Sequence, residues 1–144
     1  PGMKVLQFAF DGNPDNPYLP ENYEEDCVAY TGTHDNDTLK GWFESLNGNE
    51  KMYVLKSLSI IADKEKENNI NCVVYSIIKA LYASKASICI IPLQDFLCLG
   101  SKSRINTPST IGDNWKFRIN NQMLANELAE KIKDLVESSN RISF

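Results

Sequence analysis

CVAYTGTHDNDTLKGWF, Cys27 to Phe43, decides how the rest of the chain is read. CVAYT is apolar, rich in strand formers and of strand length. It ends at Gly32-Thr33, and four polar side chains then stand in a row: His34, Asp35, Asn36 and Asp37. TLKGWFESL, Thr38 to Leu46, follows with helical spacing, and Asp35, Asn36 or Asp37 is placed to cap it. Strand, polar motif and helix in this order form the unit of an α/β fold. In such folds ligands gather at the C-terminal ends of the strands. The motif's histidine is the chain's sole one.

Working outward, Lys4 to Phe10 (KVLQFAF) predicts a strand buried on both faces. Asp11 to Asp26 (DGNPDNPYLPENYEED) is a long loop punctuated by three prolines. Ser87 to Pro92 (SICIIP) predicts a third buried strand. Between the second and third strands, two helices are expected. One runs near Glu50 to Ala62, with Val54, Leu55, Leu58, Ile61 and Ala62 on one stripe and the charged DKEKENN at its end. The other spans Asn71 to Ser84, with Val73, Val74, Ile77, Ile78 and Leu81 at helical spacing. Gln94 to Leu99 reads as a single helical turn and Gly100 to Asn120 as a polar loop. Asn121 to Ser139 reads as a closing helix carrying Met123, Leu124, Leu128, Ile132, Leu135 and Val136. Three apolar strands predict an α/β fold with a parallel sheet covered on both sides. Each strand leads into a polar segment: Asp11 to Asn22, Thr33 to Thr38, and Gln94 to Trp115.

The 144 residues, 42% hydrophobic and 24% charged, are enough for one domain with a real core, with a composition ordinary for a soluble globular protein. A net charge of −4 offers no basic footprint for nucleic acid or an anionic membrane. No apolar run reaches the ~18 residues of a membrane span. Four cysteines occur, none in a C-x-x-C arrangement, and Cys27 and Cys89 lie in apolar stretches as small hydrophobes. A reducing, cytoplasmic setting is expected. Pro1-Gly2-Met3 enters an apolar run almost at once, which reads as a piece of a longer chain.

Three chemistries compete for the polar motif. Asp35-x-Asp37 has the start of a calcium loop but no G-x5-E follows. A transition-metal site would have one histidine and no paired cysteines, so no metal and no cofactor is expected. A Cys–His nucleophile would need a thiol in a polar segment, and Cys98 alone comes near one. Helix capping accounts for one or two of the four residues. A carbohydrate site accounts for more, because sugars are held by Asp, Asn, Gln, His and Arg side chains and by aromatic faces. The strand-end segments offer Asp11, Asn13, Asn16, Tyr18, His34, Asp35, Asn36, Asp37, Gln94, Asp95, Arg104, Asn106, Asn114 and Trp115. On composition, sugar binding and ordinary loop chemistry both remain open.

PGMKVLQFAF, NPYLPENY, YTGTHDNDTLKGWF and PLQDFLCLGSKSRINTPSTIGDNWKFR, in that order, resemble the 4-alpha-glucanotransferases of glycoside hydrolase family 77. The resemblance runs from Pro1 to about Arg118, with the last helix matching only in type. It implies the C-terminal part of a (β/α)8 TIM barrel, with residues 1–144 a single C-terminal segment of the catalytic domain. Lys4 to Phe10, Cys27 to Thr31 and Ser87 to Pro92 would be its sixth, seventh and eighth strands. It also implies retaining transfer of an alpha-1,4-glucan segment to a new 4-hydroxyl, by an Asp nucleophile, a Glu acid/base and a second Asp that grips the distorted sugar. That second Asp maps onto Asp35, with His34 as its sugar-binding neighbour. Asp11, Asn16, Asn36, Asp37, Gln94, Asp95, Asn114 and Trp115 are the further candidates for substrate binding. The partners implied are maltooligosaccharides and longer alpha-1,4-glucans.

A complete barrel takes roughly 250 residues, so this chain supplies an incomplete one. The nucleophile and acid/base are expected upstream of Pro1, and the 144 residues alone are expected to be inactive. Exposed barrel edges invite self-association. Departures from the family's pattern are Glu21 where it has His, Cys98, Ser109 and Asp113 where it has Gly, and Phe117 where it has Trp. A carbohydrate-binding module and an amylase-clan alpha-glucan hydrolase are the competing classes.

Overall fold

The computed structural model describes residues 1–60 and 69–141. Its sheet is three parallel strands in the order β1 (Gly2–Val5), β2 (Cys27–Tyr30), β3 (Ile88–Ile90). Met3 sits opposite Val28, and Val28 opposite Ile88. Strand β1 is shorter than KVLQFAF predicts, and starts earlier. Leu6–Phe8 winds into a 3₁₀ turn closed by the Ala9 amide on the Leu6 carbonyl at 3.0 Å. The turn brings both Leu6 and Ala9 into the core, each fully buried, while Phe8 stays outside. An apolar run of this length does not distinguish such a turn from a strand.

The sheet is covered on one face. Cys27 and Ala29 are 1% and 0% exposed, whereas their neighbours Val28 and Tyr30 are half-buried. Met3, Ile88 and Ile90, in register with them, are 58%, 51% and 46% exposed. The expectation of burial on both faces is therefore corrected. Apolar content tells what a strand tolerates, and among the described residues the second face stays largely open.

The covered face lies under helices α1 (Leu39–Ser45), α2 (Gly48–Ser57) and α3 (Ile70–Tyr82). Helix α3 buries Val73, Val74, Ile77, Ile78 and Leu81, the predicted stripe, and packs against α1 and the last helix. Helix α2 opens with a reciprocal cap: Asn47 accepts from the Glu50 amide, and the Glu50 carboxylate accepts from the Asn47 amide. It stops at Ser57, earlier than predicted. Ile61, Ala62 and nearly all of DKEKENN lie outside the described residues.

After β3 comes α4 (Leu93–Phe96), the predicted single turn. The closing helix α5 is Asn126–Ser138; it begins after a separate 3₁₀ turn at Asn121–Met123 that Asn120 caps. Leu135 is its buried anchor, flanked by the half-buried Leu128, Ile132 and Val136, while Leu124 is exposed. Arg141 then donates to the Tyr82, Ser84 and Ala86 carbonyls at 2.6, 2.8 and 2.6 Å, which closes the C-terminal end of α3. No described helix is long and apolar enough to cross a membrane.

Candidate active site

The polar motif starts where β2 ends, at the fully buried Thr31. It is shaped first by its own short side chains. The Asn36 Oδ1 accepts from both the Thr33 amide and the Thr33 hydroxyl at 2.9 Å, and the Asn36 amide returns to the Thr33 carbonyl at 3.2 Å. The cap of α1 is Thr38, whose hydroxyl accepts from the Gly41 amide at 3.1 Å. The capping expected of Asp35, Asn36 or Asp37 thus falls one residue later, because those residues are engaged elsewhere.

Asp37 is a junction. Its carboxylate accepts from the Thr38 amide and from the Ser101 hydroxyl, each at 2.7 Å. Its carbonyl accepts from the Gln7 side chain at 2.9 Å. These three bonds join the motif to the turn after β1 and to the segment beyond α4. Gly41 makes room for the junction: a Cβ there would lie 2.8 and 2.9 Å from the two Asp37 oxygens and also strike the Ser101 hydroxyl.

His34 and Asp35 point outward, with side chains 53% and 50% exposed. The segment Arg104 to Asn106 lies against them. The Asn106 side chain donates to Asp35 Oδ1 at 2.6 Å, the Arg104 guanidinium to the Asp35 carbonyl at 2.6 Å, and the Asn106 amide to the His34 carbonyl at 3.1 Å. The His34 Nε2 is 3.4 Å from the same Asp35 oxygen. Asp35 Oδ2 has no hydrogen-bond partner among the described residues. Trp115 stacks on the His34 ring at 5.1 Å with 36° between planes, and its backbone has φ = 63°. Asn114 shapes that loop, accepting from the Thr107 amide at 2.8 Å.

His34, Asn36 and Asp37 border a cleft of about 580 Å³ with Gln94, Asp95 and Arg104. Its apolar wall includes Met3, Tyr30 and Ile90 from the open face of the sheet. Gln94 and Asp95 form its floor and are 6% and 1% exposed. Gln94 donates to the Ser103 carbonyl at 3.3 Å. Asp95 accepts from the Thr31 hydroxyl at 2.6 Å and from the Leu39 amide at 2.7 Å. Burial pushes the Asp95 carboxyl above its ordinary range, against the pull of those two hydrogen bonds.

Asp35, Asn114 and Trp115 lie outside the lining of this cleft, beside His34 and Arg104 at its border, and Asp11 and Asn16 do not line it either. Asp11 is an exposed turn residue accepting from the Asn13 amide at 2.9 Å, a bond that holds its carboxyl below the usual range. Asn16 is 5% exposed and spends its amide inside the loop, donating to the Phe8 carbonyl and accepting from the Tyr18 amide. Glu21 borders a separate hollow of about 220 Å³ with Ser57, Leu58, Ala80 and Ser84. Thr31, Gln7 and Ser101 hold the motif in place and were not among the sequence candidates. Gln7 carried a signal, as the single polar residue within VLQFAF. Among the described residues no three His, Cys, Asp or Glu side chains are grouped to hold a metal ion.

An exposed carboxylate oxygen, an imidazole braced beside it and an indole face suit a polyhydroxylated ligand, which needs hydroxyl partners and a stacking surface. The family of 4-alpha-glucanotransferases, glycoside hydrolase family 77, matches residues 1–124. The 4-alpha-glucanotransferase of Clostridium butyricum is 46% identical over 132 residues, which cover 92% of this chain and 26% of that protein. The chloroplastic/amyloplastic 4-alpha-glucanotransferase of Solanum tuberosum is 44% identical over 145 residues, covering 99% of this chain and 24% of that one. Among solved structures, the amylomaltase of Streptococcus agalactiae in complex with acarbose superposes with a TM-score of 0.87 at 31% identity, over 99% of this chain and 28% of that one. This chain therefore spans about a quarter of the length of the curated relatives it matches.

Proposed function

The chain belongs to glycoside hydrolase family 77, the 4-alpha-glucanotransferases, and from that premise we propose that it is the C-terminal part of such an enzyme's (β/α)8 catalytic barrel. In this reading β1, β2 and β3 are the sixth, seventh and eighth barrel strands, residues 1–144 form one segment of a single catalytic domain, and the open sheet face looks into the barrel. The reaction is retaining transfer of an alpha-1,4-glucan segment to a new 4-hydroxyl. The Asp nucleophile and Glu acid/base are supplied from outside these 144 residues. The cellular setting is cytoplasmic.

The observation that carries the proposal is the bracing of Asp35. Asn106 and His34 both address Oδ1, which leaves the second oxygen free for sugar hydroxyls. Contacts of this kind strengthen as the ring flattens toward the oxocarbenium-like transition state and contribute several kcal/mol there. His34 adds a hydrogen bond to the sugar, and Trp115 buttresses its ring and offers a face for stacking. Gln94, Asp95, Asn36 and Asp37 shape the cleft, Asn114 holds the Trp115 loop, and Asp11 and Asn16 shape the β1–β2 loop on the acceptor side. The bound acarbose of the Streptococcus agalactiae neighbour supports a site for alpha-glucans.

Asp35→Asn in the full-length polypeptide tests the reading. Turnover of maltotriose should fall by a factor on the order of 10³, the scale set by losing several kcal/mol of transition-state binding. Turnover close to wild type refutes the assignment. The isolated 144 residues should give no disproportionation products, and any products would overturn the split of the catalytic groups. Glucose without transfer products would favour hydrolysis over transfer.

A further inference from the structure

We infer that Asp95 is a positioning residue for this site: its carboxylate ties together both ends of the loop that carries His34 and Asp35, and it acts on the sugar only through that loop. The inference rests on the reading of Asp35 given above. The loop leaves the sheet at Thr31 and re-enters regular structure at Leu39. One side chain from a distant element holds both points. Asp95 Oδ2 accepts the Thr31 hydroxyl at 2.6 Å and Oδ1 accepts the Leu39 amide at 2.7 Å. Asp95, Thr31 and Leu39 are 1%, 0% and 0% exposed, so water does not compete for any of these groups.

The anchor is itself fixed. Asp95 lies in α4 directly after β3, with its amide on the Pro92 carbonyl at 2.9 Å and its carbonyl receiving the Cys98 amide at 3.0 Å. The parallel pairing of β2 with β3 brings that turn beside Thr31. His34 and Asp35, half-exposed, cannot fix their own positions in the same way. No Lys or Arg stands within ion-pair distance of Asp95 among the described residues. A buried carboxylate without a cation is costly, and the raised Asp95 carboxyl reflects that cost. A leucine would fill the same space without it. What the carboxylate adds is two acceptor oxygens at a fixed spacing, one for each end of the loop.

Three substitutions in the full-length polypeptide test this: Asp95→Asn, Asp95→Leu and Thr31→Val. Each is assayed for kcat and KM on maltotriose well below its unfolding midpoint, and for hydrogen exchange of the Thr33 to Thr38 amides. Asparagine still accepts from the Leu39 amide and can donate to the Thr31 oxygen, so Asp95→Asn should keep kcat within about threefold. Leucine breaks both bonds, and kcat should fall about 100-fold with little change in KM, the loss expected for an ångström-scale misplacement. Thr31→Val frees one end; kcat should fall about tenfold and the loop amides should exchange faster. A folded Asp95→Leu protein with wild-type kcat overturns the inference. So does an Asp95→Asn protein as damaged as Asp95→Leu, or a rise in KM at constant kcat, which would mean direct contact with sugar. If Asp95→Leu fails to fold, Thr31→Val decides, and wild-type kcat with unchanged exchange refutes the claim. Asp35→Asn run in parallel separates the two readings. Normal turnover there sinks the site itself, whereas an inactive Asp35→Asn beside normal Asp95→Leu and Thr31→Val sinks only the tie.

Discussion

Ser109 and Cys98 hold backbone angles that side chains resist, with φ of 61° and 52°. At both, the family resemblance leads one to expect glycine, the residue that enters this region without a Cβ penalty. Ser109 follows Pro108 in a Thr107–Thr110 turn, the position where proline-first turns with positive φ favour glycine. Ser109→Gly should therefore stabilise the protein by about 1 kcal/mol, read as a higher thermal midpoint; an unchanged or lower one contradicts the strain. Cys98→Gly removes the same strain but also a half-buried thiol, so its gain should be smaller. Asp113, the third position where the resemblance leads one to expect glycine, is an exposed residue paired with Lys116 at 2.7 Å and does not hold positive φ. At this scale part of the candidate site was legible. His34 and Asp35 stood out as a polar run at the mouth of an apolar strand. Their partner Asn106 was visible as one polar strand-end residue among many, because a contact spanning 71 positions has no local signature.

At the scale of the element, α1 illustrates how a short helix is held by its surroundings. It has seven residues, too few to be stable by propensity alone. Thr38 caps it, Asp95 takes its first amide, and Asp37 and Ser101 crowd against Gly41. Gly41→Ala would gain helix propensity on an exposed helix. Here it should cost about 1–3 kcal/mol, because the methyl meets the Asp37 carboxylate and overpacking dominates. A thermal midpoint equal to or above wild type would show that the Asp37–Ser101 junction yields freely. The stripes of α3 and α5 were readable from spacing, since a helix repeats its buried face every three or four residues. The 3₁₀ turn at Leu6–Phe8 was not, because an almost uniformly apolar run carries no polar spacing to show that Leu6 and Ala9, three residues apart, share one buried side.

At the scale of the molecule, the main feature is a sheet with one bare side. Met3, Ile88 and Ile90 stand exposed beside the half-buried Val28 and Tyr30, and among the described residues β1 and β3 each have a neighbour on one side only. Unpaired parallel edges and an apolar face both favour association. The isolated 144 residues should form concentration-dependent oligomers by light scattering and bind a hydrophobic dye; a clean monomer that ignores the dye would contradict this. In the proposed whole barrel the same face is lined by other strands, and the dye should not bind.

By itself the sequence determined the order of strands and helices, the parallel α/β class, the family, and the identity of the polar motif. These depend on composition, period and local order, which a chain carries along its length. The tertiary structure alone decided which carboxylates face outward and which are spent inside. Asp35 and Asp37 are two residues apart, and Asp95 is also a carboxylate, yet Asp35 is half-exposed while Asp37 and Asp95 hold the loop from inside. The difference comes from the parallel pairing of β2 and β3, which sets α4 beside Thr31 and buries one carboxylate where two distant hydrogen-bond donors meet.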